Sequence, residues 1–254
     1  DRESPQNVAA LLKKYGFGLA QMTVLSHLGG AAESCFCGQA DNWTHEVPDF
    51  HIIAIQCPDL AKQIAGFGIE DSMFVNSGKI TKREIRASAL AKLAAFPGAV
   101  FWDVGAGSGA VAIEFMTLAP RSRAFAIDMD SKQITMAREN AVTCGVPTLQ
   151  HVEAILPDGL DDLPPPDAIF IGGGLSSSLV AQCYNALLHG GNLVAHAVTL
   201  ESEAILMRSW QDYGGSLTRL AISHADPVGA FHGWRPSMPV TQWHISKPQN
   251  SVEA

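Results

Sequence analysis

Two periodicities alternate along this chain. Apolar residues recur at helical spacing over 7–15, whereas 19–25 and 51–55 read as strands, with a second short helix expected between them. Cys57-Pro58-Asp59 closes that opening stretch. From Ile69 onward the pattern becomes a regular exchange of strand and helix. Strands are predicted at 100–104, 124–127, 149–152, 168–171 and 193–198, and amphipathic helices at 108–119, 132–144, 177–189 and 201–213. Thr81-Lys82-Arg83-Glu84 has the spacing of a capping box. It opens a further helix with Ile85, Ala89, Leu90 and Leu93 on one face, which stops before Pro97-Gly98. The last two strands, 217–223 and 240–245, are joined by a loop over 225–238 with no helix between them, so they are expected to pair antiparallel.

Strands that alternate with helices build a parallel sheet covered on both faces. The expected fold class is therefore α/β, a Rossmann-like sheet whose last strand is reversed, preceded by a short α+β fragment. The expected organisation is a fragment at 1–57, a linker at 58–68, the α/β domain at 69–247 and a tail at 248–254. A length of 254 residues suits one full domain and a fragment too small to own much core.

Composition narrows the partners. No apolar run approaches the ~20 residues of a membrane span. The formal charge of −8 opposes sequence-independent nucleic-acid binding, which needs a basic surface to displace counterions. Five cysteines, an odd number without CxxC spacing, indicate neither a disulfide framework nor a zinc ribbon. Cys35-Phe36-Cys37 is read as reduced, no metal site is expected, and the cytoplasm is the expected compartment. The chain starts at Asp1 with no basic and apolar leader, so no signal peptide is expected, and the start reads as a cut within a longer protein.

The chemistry concentrates at the end of the strand over 100–104. Gly105-Ala106-Gly107-Ser108-Gly109 turns that strand into a helix, and glycines there let a ligand approach the backbone beside the first N–H groups of the helix. The turn alone also fits a nicotinamide fingerprint, Gly105-x-Gly107-x-x-Ala110. Three features favour S-adenosylmethionine. Asp103 would set a carboxylate near a cationic amino-acid moiety and repel a pyrophosphate. Asp128, ending the next strand, can accept from both ribose hydroxyls, a contact common to both cofactors. The reversed last strand matches class I methyltransferases. The competing structural reading has Asp103 capping the turn and Asp128 capping the following helix.

Several stretches carry a resemblance: Ile80-Thr81-Lys82-Arg83-Glu84-Ile85-Arg86, Asp103 to Gly109, Ala154-Ile155-Leu156-Pro157, Ile171-Gly172-Gly173-Gly174 and Ala197-Val198-Thr199-Leu200-Glu201. On these the chain resembles the decarboxylating precorrin methyltransferases of cobalamin biosynthesis, specifically the C-terminal half of the fused C5,15 enzymes. The resemblance spans 69–247. It implies a seven-stranded class I methyltransferase fold, methylation of a tetrapyrrole at C-15 coupled to decarboxylation of a ring acetate, and a tetrameric assembly. Carried residue by residue, it implies cofactor contacts at Thr81, at Gly105, Ala106, Gly107, Ser108 and Gly109, at Asp128 and at Ala154. Ala154 stands where the family often has glycine, and His196 where it has asparagine. Residues 1–57 look like the tail of the tetrapyrrole methylase domain that precedes this half, the N-terminal partner in the parent chain.

A tetrapyrrole with many carboxylates meets a protein of net charge −8, so the local field must be positive. Candidate substrate contacts are Lys79 and Arg86 from the capping-box segment and His232, Trp234 and Arg235 from the late loop. Each cation has a plainer reading as part of a solvated face. His196 and Glu201 are the candidates for proton handling, with a satisfied core histidine the alternative for His196. The competing functions are S-adenosylmethionine methyltransfer to a protein or RNA, a nicotinamide oxidoreductase, and a non-catalytic scaffold.

Overall fold

The computed structural model describes residues 1–57 and 67–249. The chain divides into two compact units, Asp1–Gln63 and Ile64–Ala254. Of the linker expected at 58–68, only Phe67 and Gly68 are described. Gly68 already belongs to the second unit, its N–H donating to Glu114 at 2.9 Å.

The first unit comprises α1 (Ser4–Lys14) and strands β1 (Gln21–Ser26), β2 (Ser34–Gln39) and β3 (His51–Gln56), paired antiparallel in the order β2-β1-β3. Met22 and Val24, alternate residues of β1, are fully buried with Ala9, Ala40 and Trp43. Where a second short helix is expected, the chain forms β2 and, after it, only a 3-10 turn over Ala40–Asn42. Gly30 N–H donates to the His27 carbonyl, closing a turn after β1, and Cys35-Phe36-Cys37 then register against Leu25, Val24 and Thr23. A ready neighbouring edge overrides weak local preference.

The second unit begins with α2 (Arg83–Leu93), β4 (Val100–Val104), α3 (Ala110–Leu118), β5 (Arg123–Asp128), α4 (Ser131–Thr143) and β6 (Gln150–Glu153). It continues with β7 (Ala168–Ile171), α5 (Ser177–Ala186), β8 (Asn192–Ala197), α6 (Leu200–Tyr213) and β9 (Ser216–Leu220). It ends with β10 (Ser223–Val228), β11 (Phe231–Pro236) and β12 (Val240–Ser246). Seven strands lie in the order β6-β5-β4-β7-β8-β12-β9, with β12 antiparallel to both neighbours. The order reverses between β4 and β7, which opens a crevice beyond their C-terminal ends.

Successive residues of β4 point to opposite faces. Phe101 stacks on Phe115 of α3 at 4.1 Å in one core layer, while Trp102 joins Ile169, Leu193 and Trp243 in the other. Both faces are covered by helices, so these strands read as continuous apolar runs rather than alternating ones.

Two sequence expectations change here. The helix α2 starts at Arg83 with Lys82 as its extended N-cap and no side-chain cap, so no capping box forms. Arg86 takes the Thr81 carbonyl instead. The loop expected over 225–238 contains the hairpin β10–β11, a two-stranded sheet inserted between β9 and β12. Pairing of β9 with β12, Leu220 opposite Val240, follows the expectation.

Charge is buried at one place in the larger core. The Arg86 side chain has no exposed surface; it pairs with Glu114, equally buried, at 2.6 Å and with Asp71 at 3.0 Å. Its other N–H groups reach the carbonyls of Ile69 and Thr81, and the guanidinium lies 5.0 Å from the Phe74 ring centre. Glu114 accepts from the N–H groups of Gly68 and Ile69. A second polar line crosses the sheet. Ser88 donates to Oε1 of Gln242, whose amide donates to Nε2 of His196 at 2.8 Å, with Phe170 edge-on to the imidazole at 4.8 Å. Burial, helped by the Lys92 charge, pushes His196 down to about 3, so the ring is neutral at neutral pH.

Arg86→Met leaves the Glu114 carboxylate buried and unpaired. Urea unfolding should show a loss of ~3–5 kcal/mol, and Arg86→Met/Glu114→Gln should lose less than the sum of the singles. For His196 the folded value lies below its ordinary 6.5, so its stabilisation is complete above about pH 6.5 and is lost as pH falls toward 3. Over that window this one group contributes a slope of up to ~1.4 kcal/mol per pH unit, which His196→Gln should remove from the measured stability profile.

Candidate functional site

The turn from β4 into α3 makes two close backbone approaches. Gly105 has φ +69°, and a Cβ there would stand 2.6 Å from the Gly173 nitrogen. Only glycine admits both that conformation and that contact. The loop after β7 is drawn in by the Gly172 N–H, which donates to the Val104 carbonyl at 2.8 Å. Gly109, the left-handed N-cap of α3, sits where a Cβ would press on the Ala137 Cβ of α4 at 3.0 Å. The N–H groups of Gly105 and Ala106 both donate to the Ile127 carbonyl, so the turn is sewn to the end of β5.

Asp128 closes β5 beside that turn. Its Oδ2 accepts from the Gly107 N–H at 2.9 Å and its Oδ1 from the Asp130 N–H at 3.0 Å. Each carboxylate oxygen keeps acceptor capacity for a further donor, and the residue is half-buried. Asp130, not Asp128, caps α4, through Lys132 N–H. The Asp128 carbonyl accepts from Ala154, which brings the start of the β6–β7 connection to the same edge. The Ala154 Cβ fills the space a Cβ on Gly159 would need, at 2.1 Å. On the other side the Lys79 carbonyl lies 3.7 Å from a Cβ position at Gly107, so residues 79–81 border the turn, with Thr81 half-buried and Lys79 exposed.

Other predicted residues are placed differently. Asp103 is 1% exposed, beneath the turn rather than in the crevice, and its Oδ2 accepts from the Ala112 N–H of α3 at 2.9 Å. Burial raises its carboxyl to about 8, opposed by the Ala112 hydrogen bond and helped by the Asp128 charge. Burial thus favours the neutral carboxyl, and its Oδ1 has no hydrogen-bond partner among the described residues. Arg86 presents no atom to solvent, its charge consumed by Glu114 and Asp71, so it is a core residue and not a substrate contact. His196 lies inside β8, buried and neutral, and cannot donate a proton at neutral pH. Glu201 stands exposed in the first turn of α6, which Thr199 caps through the Ser202 N–H.

The three late residues share β11 but not a face. Strand alternation puts His232 and Trp234 on one side of the hairpin and Arg235 on the other, where it pairs with Asp226 at 3.1 Å. Trp234 is 78% exposed. Thr241 of β12 sits opposite Ala197 at the end of β8, so the hairpin springs from the same edge of the sheet as the glycine turn.

Sequence reading passed over Glu114, Gln133 and Asn140. A signal existed for the last two. Gln133, Ala137 and Asn140 are spaced i, i+4, i+7 on α4, a mixed polar and small stripe along an otherwise amphipathic helix. That stripe faces the turn: Ala137 meets Gly109, Gln133 lies 3.8 Å from the Gly107 position, and Asn140 donates to the Ser108 carbonyl. Among the described residues no group of three or more His, Cys, Asp or Glu side chains is arranged to hold a metal ion.

A family model described as a precorrin methyltransferase domain matches residues 72–247. The precorrin-6Y C(5,15)-methyltransferase (decarboxylating) of a Sinorhizobium species is 41% identical over 252 residues, covering 97% of this chain and 61% of that protein. The chain thus spans less than two thirds of that relative's length. The crystal structure of the C-terminal domain of precorrin-6Y C5,15-methyltransferase from Rhodobacter capsulatus superposes with a TM-score of 0.68 at 38% identity, over 74% of this chain and 100% of that one. An S-adenosylmethionine-dependent O-methyltransferase from Thermotoga maritima, 14% identical, shares the fold with a TM-score of 0.59 over 93% of this chain and 96% of its own. A seven-stranded sheet with one reversed strand, a glycine turn at its switch point and these likenesses lead to one conclusion: the chain belongs to the precorrin methyltransferase family, on a class I S-adenosylmethionine-dependent methyltransferase fold.

Proposed function

We propose that this chain is an S-adenosylmethionine-dependent enzyme that methylates C-15 of a precorrin tetrapyrrole and decarboxylates one of its ring acetates, a step of cobalamin biosynthesis. The observation that carries the cofactor reading is Asp128. It holds the Gly107 N–H while retaining acceptor sites at the crevice, where a ribose can present two hydroxyls. Gly105, Ala106, Gly107, Ser108 and Gly109 supply a wall without side-chain bulk, and Thr81 and Ala154 border it. These residues suit a nucleoside with a charged amino-acid arm, and the bound group would supply an electrophilic methyl.

The substrate carbon, part of an electron-rich pyrrole system, needs no strong base to become nucleophilic. The chain's part is to hold the ring in line with the methyl and keep water out. Lys79, exposed at the lip of the turn and without an ion pair among the described residues, suits a peripheral carboxylate. His232 and Trp234 offer an exposed ring-stacking face on one side of the hairpin. Lys82 and Arg83 are engaged with Asp71 and Glu70 and serve less well. Glu201, in the first turn of α6 just past the end of β8, is the group left for proton handling once His196 is buried.

The assembly follows from the same family reading. Val228, Phe231 and Met238 expose apolar surface on and beside an isolated hairpin, which supports burial against further copies in a homo-tetramer. Residues 1–57 fit the end of a tetrapyrrole methylase domain in a longer cytoplasmic chain.

S-adenosylhomocysteine should raise the melting temperature while NADH leaves it unchanged. Asp128→Ala should weaken S-adenosylhomocysteine binding about 100-fold in calorimetric titration, the loss of charge-assisted hydrogen bonds, with the fold retained by circular dichroism. Unchanged affinity would remove the cofactor assignment. Trp234→Ala and Arg235→Ala should separate in tetrapyrrole turnover, one raising KM about tenfold and the other little. Equal losses would show that no single hairpin face meets the substrate.

A further inference from the structure

Residues 67–82 belong to no strand, yet they run beside the glycine turn under tight control. At one end Glu114 holds the N–H groups of Gly68 and Ile69 and Arg86 the Ile69 carbonyl, and at the other end Arg86 holds the Thr81 carbonyl. Gln133 donates to the Ser77 hydroxyl at 2.9 Å. Asn140 does more than any of these. Its Oδ1 accepts from the Val75 N–H at 2.8 Å, and its Nδ2 donates to the Val75 carbonyl at 2.8 Å and to the Ser108 carbonyl at 2.9 Å. One amide therefore joins the crossing segment to the glycine turn.

This placement is not explained by the helix that carries it. Asparagine is a mediocre helix former, and a buried amide costs free energy unless it is paired, so an apolar residue would serve α4 better. Asn140 is 1% exposed and fully engaged. Its partner Val75 is 54% exposed, so the chain at 75 is anchored by backbone hydrogen bonds to Asn140 and not by burial. The next residues lead to the Lys79 carbonyl beside Gly107 and to Thr81. Loosening Asn140 would free the segment at Val75 and remove one tie, at the Ser108 carbonyl, on the glycine turn.

We propose that Asn140 is a positioning residue for cofactor binding, clamping residues 75–79 and the Ser108 carbonyl so that the glycine turn and the segment across from it keep one fixed separation. This rests on the cofactor reading above. The residue touches no ligand; it acts through Val75 and Ser108.

The test titrates the full chain with S-adenosylhomocysteine, comparing wild type with Asn140→Ala, Asn140→Asp and Val75→Pro. The aspartate keeps the acceptor for Val75 but loses both donors. Proline removes the Val75 N–H from an exposed position, and Phe74 before it is already extended (φ −107°, ψ 125°), the conformation a residue before proline requires. All three variants should bind at least about tenfold more weakly. Hydrogen exchange should quicken at 75–79 and 107–109 while Gly68 and Ile69, held by Glu114, stay protected. In turnover, KM for the cofactor should rise with kcat within about twofold, a split that general destabilisation does not produce. Should Asn140→Ala not fold, Val75→Pro carries the test. Folded variants that bind within threefold of wild type, or unchanged exchange at 75–79, overturn the proposal. A wild type that does not bind S-adenosylhomocysteine overturns the cofactor reading and this one with it.

Discussion

The second unit is organised around a contact that leaves no room for a side chain. At the end of β4, Gly105 lies against the backbone of Gly173, so the two loops flanking the switch point of the sheet meet main chain to main chain. That approach fixes where β4 hands over to α3 and where β7 ends. It also brings the turn within hydrogen-bonding reach of Ile127 and Asp128 at the end of β5. Three strand ends thereby become one edge, and the crevice exists because they are held at that spacing.

Around that edge, polar groups do work that apolar packing does not. The Arg86–Glu114 pair has its remaining hydrogen-bonding capacity spent on backbone at 68–69 and 81, the condition under which a buried ion pair is tolerated. Asn140 repeats the device with a neutral amide. Residues 67–82 lie outside the sheet, so those of their N–H and C=O groups that are buried find partners in local turns or in side chains. The helices α2, α3 and α4 provide them, from residues that look out of place in helix interiors.

Electrostatics at the site are likewise set by burial. Two aspartates on neighbouring strands have opposite fates: Asp128 at the rim keeps its acceptor capacity, while Asp103 below the turn is raised to about 8 and anchors α3. The acidic balance of the whole chain makes a local cation such as Lys79 matter more. The hairpin β10–β11 extends the same edge with apolar and aromatic groups, Trp234 and Arg235 on opposite sides.

Much of this was legible in the sequence. The strand-helix alternation from β4 to α6 was readable because doubly covered parallel strands are apolar throughout and their helices repeat at 3.6 residues. The turn at Gly105 to Gly109 and the acid at Asp128 were readable because such turns demand glycine. Local pattern did not determine β2, which forms on the free edge of β1, or the β10–β11 hairpin, whose exposed apolar residues do not alternate cleanly. Nor did it separate Arg86 from Lys79, Asp103 from Asp128, or His196 from a surface histidine. Each pair is alike in chemistry and differs only in what the folded chain places around it. Residue type and spacing determine which backbone conformations and faces are available; burial and partner atoms, which exist only after distant segments meet, decide whether a charge is kept, neutralised or spent on holding the structure together.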